Sequence, residues 1–298
     1  MEKLSSCPVC GNPDLTPFLQ SNDYFLTKEE YTIVICGNCG MKFVNPRPDQ
    51  IEIGKYYESS DYVSHDADHK SILNFLYKQV RAFSIKNKYQ LVNNYARGKK
   101  LLDIGCGTGE FIFFCKKNGF SVTGIEPGKK PRMFAQDEYK LDVYEETYLD
   151  KIIRPEFDII TMWHVLEHVH LLQERMNKIV EIMNPGGTLI VAVPNSDSWD
   201  ARYYGKFWAA YDLPRHLYHF SQETMKTLTR NHGLIIEKII PMKLDAFYIS
   251  LLSEKYAKGK KNYFRAVVNG IRSNYFGSRN KKNYSSLIFV LKRQKTGE

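Results

Sequence analysis

Residues 99–120, KKLLDIGCGTGEFIFFCKKNGF, constrain the fold more than any other stretch of the chain. A short apolar run over 100–104 leads into a turn with glycine at every second position: Gly105, Gly107 and Gly109. Apolar residues then recur at helical spacing. A strand without polar alternation belongs inside a parallel sheet covered on both faces by helices. Glycines in the following turn let backbone approach a ligand, because no Cβ stands in the way. The next segment, SVTGIEP (121–127), reads as a second strand ending at Glu126. A carboxylate at that point can accept hydrogen bonds from both hydroxyls of a ribose. The pattern predicts an α/β domain with a nucleoside-type site.

The turn reads D-I-G-C-G-T-G-E and lacks the G-x-G-x-x-G spacing of dinucleotide binders. Asp103 inside the motif would repel a pyrophosphate, whereas a cationic sulfonium ligand with an ammonium group tolerates or prefers a carboxylate. This favours S-adenosylmethionine. DIGCGTGE, with GIEP downstream, resembles the first two motifs of class I S-adenosylmethionine-dependent methyltransferases. FDIITMWHVLEHV (157–169) is similar to their fourth strand and the helix after it, and MNPGGTLIVAVPNS (183–196) to their turn and fifth strand. The ribbon-like CGMKFVNPRP together with LPRHLYHFS resembles a bacterial subgroup acting on sugars or secondary metabolites.

The resemblance implies a Rossmann-like seven-stranded sheet in the order 3-2-1-4-5-7-6, with strand 7 antiparallel. Strands are expected at 100–104, 121–126, 142–144, 157–162, 187–193, 234–240 and 285–291. Helices are expected at 109–118, 129–139, 169–183 and 222–232, with further helix in an insertion over 242–284. It also implies that Gly105, Gly107 and Gly109 line the methionine and ribose of the cofactor, with Cys106 packed in the same turn. Asp103 would act near the amino acid moiety, Glu126 would bind the ribose hydroxyls, and Met162 and Trp163 would approach from the other side. Glu145, Glu146 and Asp150 compete for the adenine amine.

Four of the six cysteines form two knuckles, Cys7-x-x-Cys10 and Cys36-x-x-Cys39, each followed by glycine. Four thiolates suit tetrahedral Zn²⁺, and a closed Cys₄ site leaves no position for substrate, so the metal is structural. A unit of this size has little core of its own, and metal binding supplies folding free energy. The organisation expected is a zinc ribbon over 1–48, a connector and helical segment over 49–97, and a methyltransferase domain over 98–298 with insertions at about 196–220 and 242–284. The helical pattern before the domain uses Ile72, Phe75, Leu76, Val80 and Phe83.

At 43% hydrophobic and 25% charged residues, the composition is that of a globular chain. The opening MEKLSSCPVC carries no apolar signal region, and no apolar run nears the ~18–20 residues that span a bilayer. A cytoplasmic location is therefore expected. Charge is uneven: twelve Lys or Arg stand against Glu298 from Lys255 onward, a net +11 within an overall +9. Such a region attracts anions or is simply a solvated face.

Methyl transfer from a sulfonium is an in-line displacement that needs an aligned nucleophile, excluded water and a base when the acceptor carries a proton. Histidine is the natural base near neutral pH. His164 and His168 are expected at i and i+4 near the start of a helix beside Glu167, and His216 lies in LPRHLYHF (213–220). His219 is read as packing. Arg215 either holds an acidic group of the acceptor or pairs with Asp212, and Tyr211 and Trp208 belong to an aromatic lid. The segment after the fourth strand, TMWHV, lacks the N-P-P-Y and Pro-Cys motifs of base-methylating enzymes. The leading reading is a small-molecule O- or C-methyltransferase acting on a nucleotide-linked or glycan sugar. The alternatives are an RNA methyltransferase using ribbon and basic tail, a quinone-type O-methyltransferase and a non-catalytic S-adenosylmethionine binder.

Overall fold

The structure, a computed structural model, describes residues 1–57 and 72–294, and only the backbone of 72–78. Connector residues 58–71, the side chains of Ile72, Phe75 and Leu76, and tail residues Lys295 and Glu298 lie outside the described residues. In chain order the elements are β1 Leu15–Asn22, β2 Glu30–Cys36, β3 Lys42–Val44, a 3₁₀ turn at Glu52–Tyr57, α1 Ile72–Tyr95, β4 Lys100–Ile104, α2 Glu110–Lys117, β5 Ser121–Ile125, α3 Lys129–Tyr139, β6 Val143–Tyr144, α4 Tyr148–Lys151 and β7 Phe157–Trp163. Then follow a 3₁₀ turn at Leu166–His168, α5 Leu172–Ile182, β8 Met183–Pro194, α6 Trp199–Tyr204, two 3₁₀ turns at Gly205–Phe207 and Ala209–Tyr211, β9 Tyr218–His219, α7 Gln222–Asn231, β10 Leu234–Pro241, α8 Asp245–Lys258, α9 Tyr263–Arg279 and β11 Ser286–Arg293.

Seven strands form one sheet in the order β6-β5-β4-β7-β8-β11-β10, the expected 3-2-1-4-5-7-6. β4 pairs in parallel with β5 and β7, and β5 with β6. β4 is buried along Leu101–Ile104, as a central parallel strand must be. β1, β2, β3 and β9 form a second sheet.

The chain divides into two compact units. One comprises Met1–Ser59, His164–Arg175 and Ala192–Phe289; the other Ser60–Trp163, Met176–Val191 and Val290–Glu298. In the first, the antiparallel β1–β2–β3 ribbon is extended by two residues of LPRHLYHF, with Lys42 opposite His219 and Phe43 opposite Tyr218. Tyr31, Ile33, Val44 and Tyr56 share a buried cluster with Trp208, Tyr211 and Leu213. The ribbon and the histidine loop thus fold as one body. The end of β1–β2 is set by Asp23, whose carboxylate accepts backbone N–H bonds from Phe25, Leu26 and Thr27.

The predicted helix over 169–183 begins only at Leu172. β7 runs through Trp163, His164 takes a left-handed backbone (φ 57), and Leu166–His168 forms a 3₁₀ turn. His164 and His168 are therefore not stacked on one α-helical face. In the insertion over 242–284, α8 and α9 supply the helix expected there.

Candidate functional site

In the second unit, the turn after β4 is shaped by glycine at two points. Gly109 has φ +80, and a Cβ there would meet Leu141 Cδ1 at 2.8 Å and Ala135 Cβ at 2.9 Å. Gly107 has φ +56, but a Cβ there would meet nothing within 4 Å. Open space over a left-handed residue leaves the backbone accessible to a ligand. The turn is tied to β5 by Glu126: Gly107 N–H donates to Oε2 and Gly128 N–H to Oε1, both at 2.8 Å. Gly105 and Cys106 N–H groups both donate to Ile125 O. Burial pushes the Glu126 carboxyl up, against the pull of those amides and of Arg132. Each oxygen keeps acceptor capacity beyond its one backbone bond.

Asp103 is 2% exposed and accepts a 2.6 Å hydrogen bond from the Thr161 hydroxyl. Burial pushes its carboxyl up to about 7, while Thr161 and Lys88 work the other way. A carboxylate held at this cost is poised to gain from a cation. Burial also raises the Cys106 thiol well above its ordinary value, so it is a packed thiol. Met162 is fully enclosed; Trp163 is buried, its Nε1–H without a partner among the described residues, and sits edge-on to Phe111. Lys88 of α1 lies 4.6 Å over the Trp163 ring. This lysine lies ahead of the glycine-rich motif and carries no sequence signal of its own.

In the first unit, His164, Glu167, His168 and His216 come together. His164 Nδ1 is 3.4 Å from Glu167 Oε1 and its Nε2 3.1 Å from Asp245 Oδ2. Burial opposes charge on this ring, but Asp245 and Glu167 override it and raise His164 to about 10. His168 is the opposite case: burial, with His216 beside it, lowers it to about 4. The His168 and His216 rings meet edge to face at 4.6 Å. His216 Nδ1 lies 2.8 Å from Ala210 O, and His168 Nδ1 lies 3.0 Å from Arg215 O and 2.9 Å from the Tyr57 hydroxyl. A carbonyl only accepts, so each ring carries a proton on Nδ1, and His168, held neutral by burial, keeps a lone pair on Nε2; His216 Nε2 lies 3.9 Å from Asp212 Oδ2. Among the described residues neither oxygen of the buried Glu167 carboxylate receives a well-formed hydrogen bond, His164 Nδ1 being an ion-pair contact at 3.4 Å. Burial alone would raise that carboxyl, yet the surrounding imidazoles hold it below its ordinary range. One ligand atom each from Glu167, His168 and His216 lie within 4.8 Å of one another, close enough to share a divalent ion. Tyr57 and Asp245 escaped the sequence reading because they are distant in the chain.

Of the two alternatives for Arg215, ion pairing is what the structure shows. Its side chain is 1% exposed, with Nη2 2.9 Å from Asp23 Oδ1 and 2.7 Å from Asp212 Oδ1, and the guanidinium lies over Phe25. Its hydrogen-bonding capacity is spent on these carboxylates and on Tyr56 O. Trp208 and Tyr211 are likewise buried in the aromatic cluster, with the indole N–H donated to Asp200 at 2.8 Å. The expected lid is a core. His219 is buried in β9. Leu217 N–H donates to Glu167 O at 2.8 Å, pinning the loop to the 3₁₀ turn.

The four cysteines of the knuckles gather at one end of the ribbon. Cys7 and Cys39 sulfurs are 3.6 Å apart, Cys10 and Cys36 3.5 Å, and all four lie within 4.8 Å of one another. That spacing suits thiolates around one ion at Zn–S near ~2.3 Å.

A family model described as a methyltransferase domain matches residues 78–239. The ubiquinone biosynthesis O-methyltransferase of Escherichia coli O81 (strain ED1a) is 26% identical over 167 residues, spanning 49% of this chain and 67% of that protein. The Salmonella typhi protein of the same description is 25% identical over 167 residues, 49% of this chain and 66% of its own. Among solved structures, a SAM-dependent methyltransferase from Archaeoglobus fulgidus superposes with TM-score 0.51 at 20% identity, covering 74% of this chain and 99% of that one. The magnesium protoporphyrin IX methyltransferase from Synechocystis PCC 6803, with bound SAH, gives 0.54 at 11% identity, covering 83% and 100%. These structural likenesses establish the fold. Among the described residues no helix is long and apolar enough to cross a membrane.

Proposed function

The chain belongs to the methyltransferase-domain family, and from that premise we propose that it transfers a methyl group from S-adenosylmethionine to an oxygen or carbon of a small-molecule acceptor, a nucleotide-linked or glycan sugar. The observation that carries the cofactor half is the accessible turn at Gly107, tied down by Glu126 and backed by the buried carboxyl of Asp103. Gly105, Cys106, Gly107 and Gly109 form the cradle, Glu126 accepts from the ribose hydroxyls, and Asp103 faces the ammonium. Trp163 and Met162 back the site from β7. Bound there, S-adenosylmethionine supplies an electrophilic methyl group on a sulfonium.

His216 is the general base in this reading. Its Nδ1 proton is committed to Ala210 O, so Nε2 takes the proton that the acceptor loses as its new bond to carbon forms. His168, anchored through Nδ1, packs against His216 and fixes its orientation. His164, clamped between Glu167 and Asp245, is a cation that holds the buried carboxylate in place. In the chain, His164 directly follows Trp163. The Cys7, Cys10, Cys36 and Cys39 thiolates hold a structural zinc, whose role is to fix the ribbon on which the histidine loop is built.

A second acceptor class, a phenolic quinone precursor, is favoured by the 25–26% identity to ubiquinone biosynthesis O-methyltransferases. The test is a thermal-shift screen of zinc-loaded protein with S-adenosylhomocysteine, followed by methyl-transfer assays against nucleotide sugars and catechols. Stabilisation by S-adenosylhomocysteine and turnover with one class is expected; no stabilisation would sink the reading. His216→Ala should lower turnover by about 10²–10⁴-fold, the range of general-base effects, with S-adenosylhomocysteine affinity unchanged. An unchanged rate removes His216 as base.

A further inference from the structure

α9 (Tyr263–Arg279) is built the wrong way round for a helix that ends at water. Its inward face carries Ala266, Asn269, Gly270, Ser273 and Gly277, all buried. The packing demands small residues there: a Cβ at Gly270 would stand 2.4 Å from the Phe247 ring, and one at Gly277 2.8 Å from Tyr284. The bulky apolar residues point the other way. Tyr263 is 58% exposed, Phe264 78%, Val267 49%, Ile271 56% and Tyr275 55%. At 3.6 residues per turn these five form one continuous stripe, about 120° wide, that begins beside the buried face and runs round the exposed side. Arg265, Arg272 and Arg279, seven residues apart and all exposed, run along one shoulder of the stripe. Exposed Lys255, Lys258, Lys260 and Lys261 gather where α8 turns into α9. No Asp or Glu occurs from Lys255 to Gly297.

We propose that the outward stripe of α9 lies in the plane of an anionic membrane surface, with Phe264, Val267 and Ile271 in the acyl boundary and the flanking arginines and lysines on lipid phosphates. An apolar face bordered by cations is the composition of an in-plane membrane helix. Scattered exposed apolar residues need no partner, but a contiguous stripe does. The cations decide the occupant. A second copy docked through the same stripe would bring two unneutralised basic shoulders together. A nucleic acid would satisfy the cations and leave the aliphatic part of the stripe without a partner. The helix is not long and apolar enough to span, which leaves the in-plane mode. This inference is independent of the acceptor and of the histidine cluster.

The test is co-flotation of zinc-loaded full chain with vesicles of phosphatidylcholine alone or phosphatidylcholine with phosphatidylglycerol, at low and high salt. Binding should require phosphatidylglycerol and weaken with salt, because the charge contribution is screened. The double variant Phe264→Ser/Ile271→Ser should partition at least ~10-fold less well, while its thermal midpoint and its shift with S-adenosylhomocysteine match the wild type. Arg265→Gln/Arg272→Gln/Arg279→Gln should lose the phosphatidylglycerol preference. Failure of the wild type to float with anionic vesicles overturns the proposal, as does equal flotation of the double variant. Dimers in light scattering that the double variant abolishes, without vesicle binding, would assign the stripe to a second copy instead.

Discussion

Replacing Asp103 by asparagine should make the ligand-free protein more stable and the cofactor complex weaker. Burial pushes the Asp103 carboxyl from its ordinary 3.8 up to about 7, against Thr161 and Lys88 and with a smaller push from Glu126. At about 1.4 kcal/mol per tenfold, ionising this group costs the folded, ligand-free chain about 4 kcal/mol more than the unfolded one. The folded-state value lies above the unfolded one, so the native state binds more protons between about pH 4 and pH 7. Stability from this group is therefore lost as pH rises through that window. Asparagine keeps an acceptor for the Thr161 hydroxyl and has no charge to desolvate. The stability gap between variant and wild type should widen by about 2–3 kcal/mol between pH 5 and pH 8. Denaturant unfolding of both proteins across that range measures it. The same substitution removes the partner of the cofactor's ammonium, so S-adenosylhomocysteine affinity at pH 8 should fall at least about tenfold, by calorimetry, at about 1.4 kcal/mol per tenfold. Wild-type affinity should itself weaken as pH falls below 7. If the variant tracks the wild-type pH profile, or binds S-adenosylhomocysteine equally well, both the burial argument and the role of Asp103 are wrong.

Arg215→Ala should destabilise by about 3–5 kcal/mol, because it strands the buried Asp23 carboxylate; a loss under 1 kcal/mol in urea unfolding would mean the pair is dispensable. Chelation of the metal, or Cys36→Ser, should lower the thermal midpoint and turnover together, since β3 of the ribbon carries the edge strand of the histidine loop; one zinc per chain by elemental analysis is expected, and zinc-free protein with full activity would refute this. Gly109→Ala should cost at least about 1 kcal/mol through positive φ and the clash with Ala135 and Leu141, with cofactor affinity reduced; an unchanged midpoint would show that the turn relaxes freely.

Most of the strands were legible as apolar runs between glycine or polar breaks, while their order followed from the resemblance to class I methyltransferases. β4 and α3 occupy 100–104 and 129–139, as the sequence predicts. Errors concentrate after β7. HVLEH has helical spacing, but His164 turns left-handed and its Nδ1 and Nε2 reach Glu167 and Asp245. Those ion pairs outweigh a weak local preference for helix.

The sequence by itself carried the proposal for the cofactor half, because Asp103, the three glycines and Glu126 lie within 24 residues of one another along a strand–turn–helix–strand unit. The two Cys-x-x-Cys knuckles suggested a metal site in the same local way, and the fold brings their four sulfurs together. Tertiary structure alone decided what LPRHLYHF does. Arg215, which read equally well as an anion binder, is spent on Asp23, 192 residues away. His216 gains its tautomer from the carbonyl of Ala210, and His219 becomes part of the ribbon sheet. The orientation of α9 was equally hidden, since periodicity records that a helix has two faces but not which one the fold buries. Gly270 and Gly277 settle that question through the close approach of Phe247 and Tyr284. Local chemistry is written in short stretches of chain; the pairing of charges and the choice of a buried face depend on partners that only folding brings near.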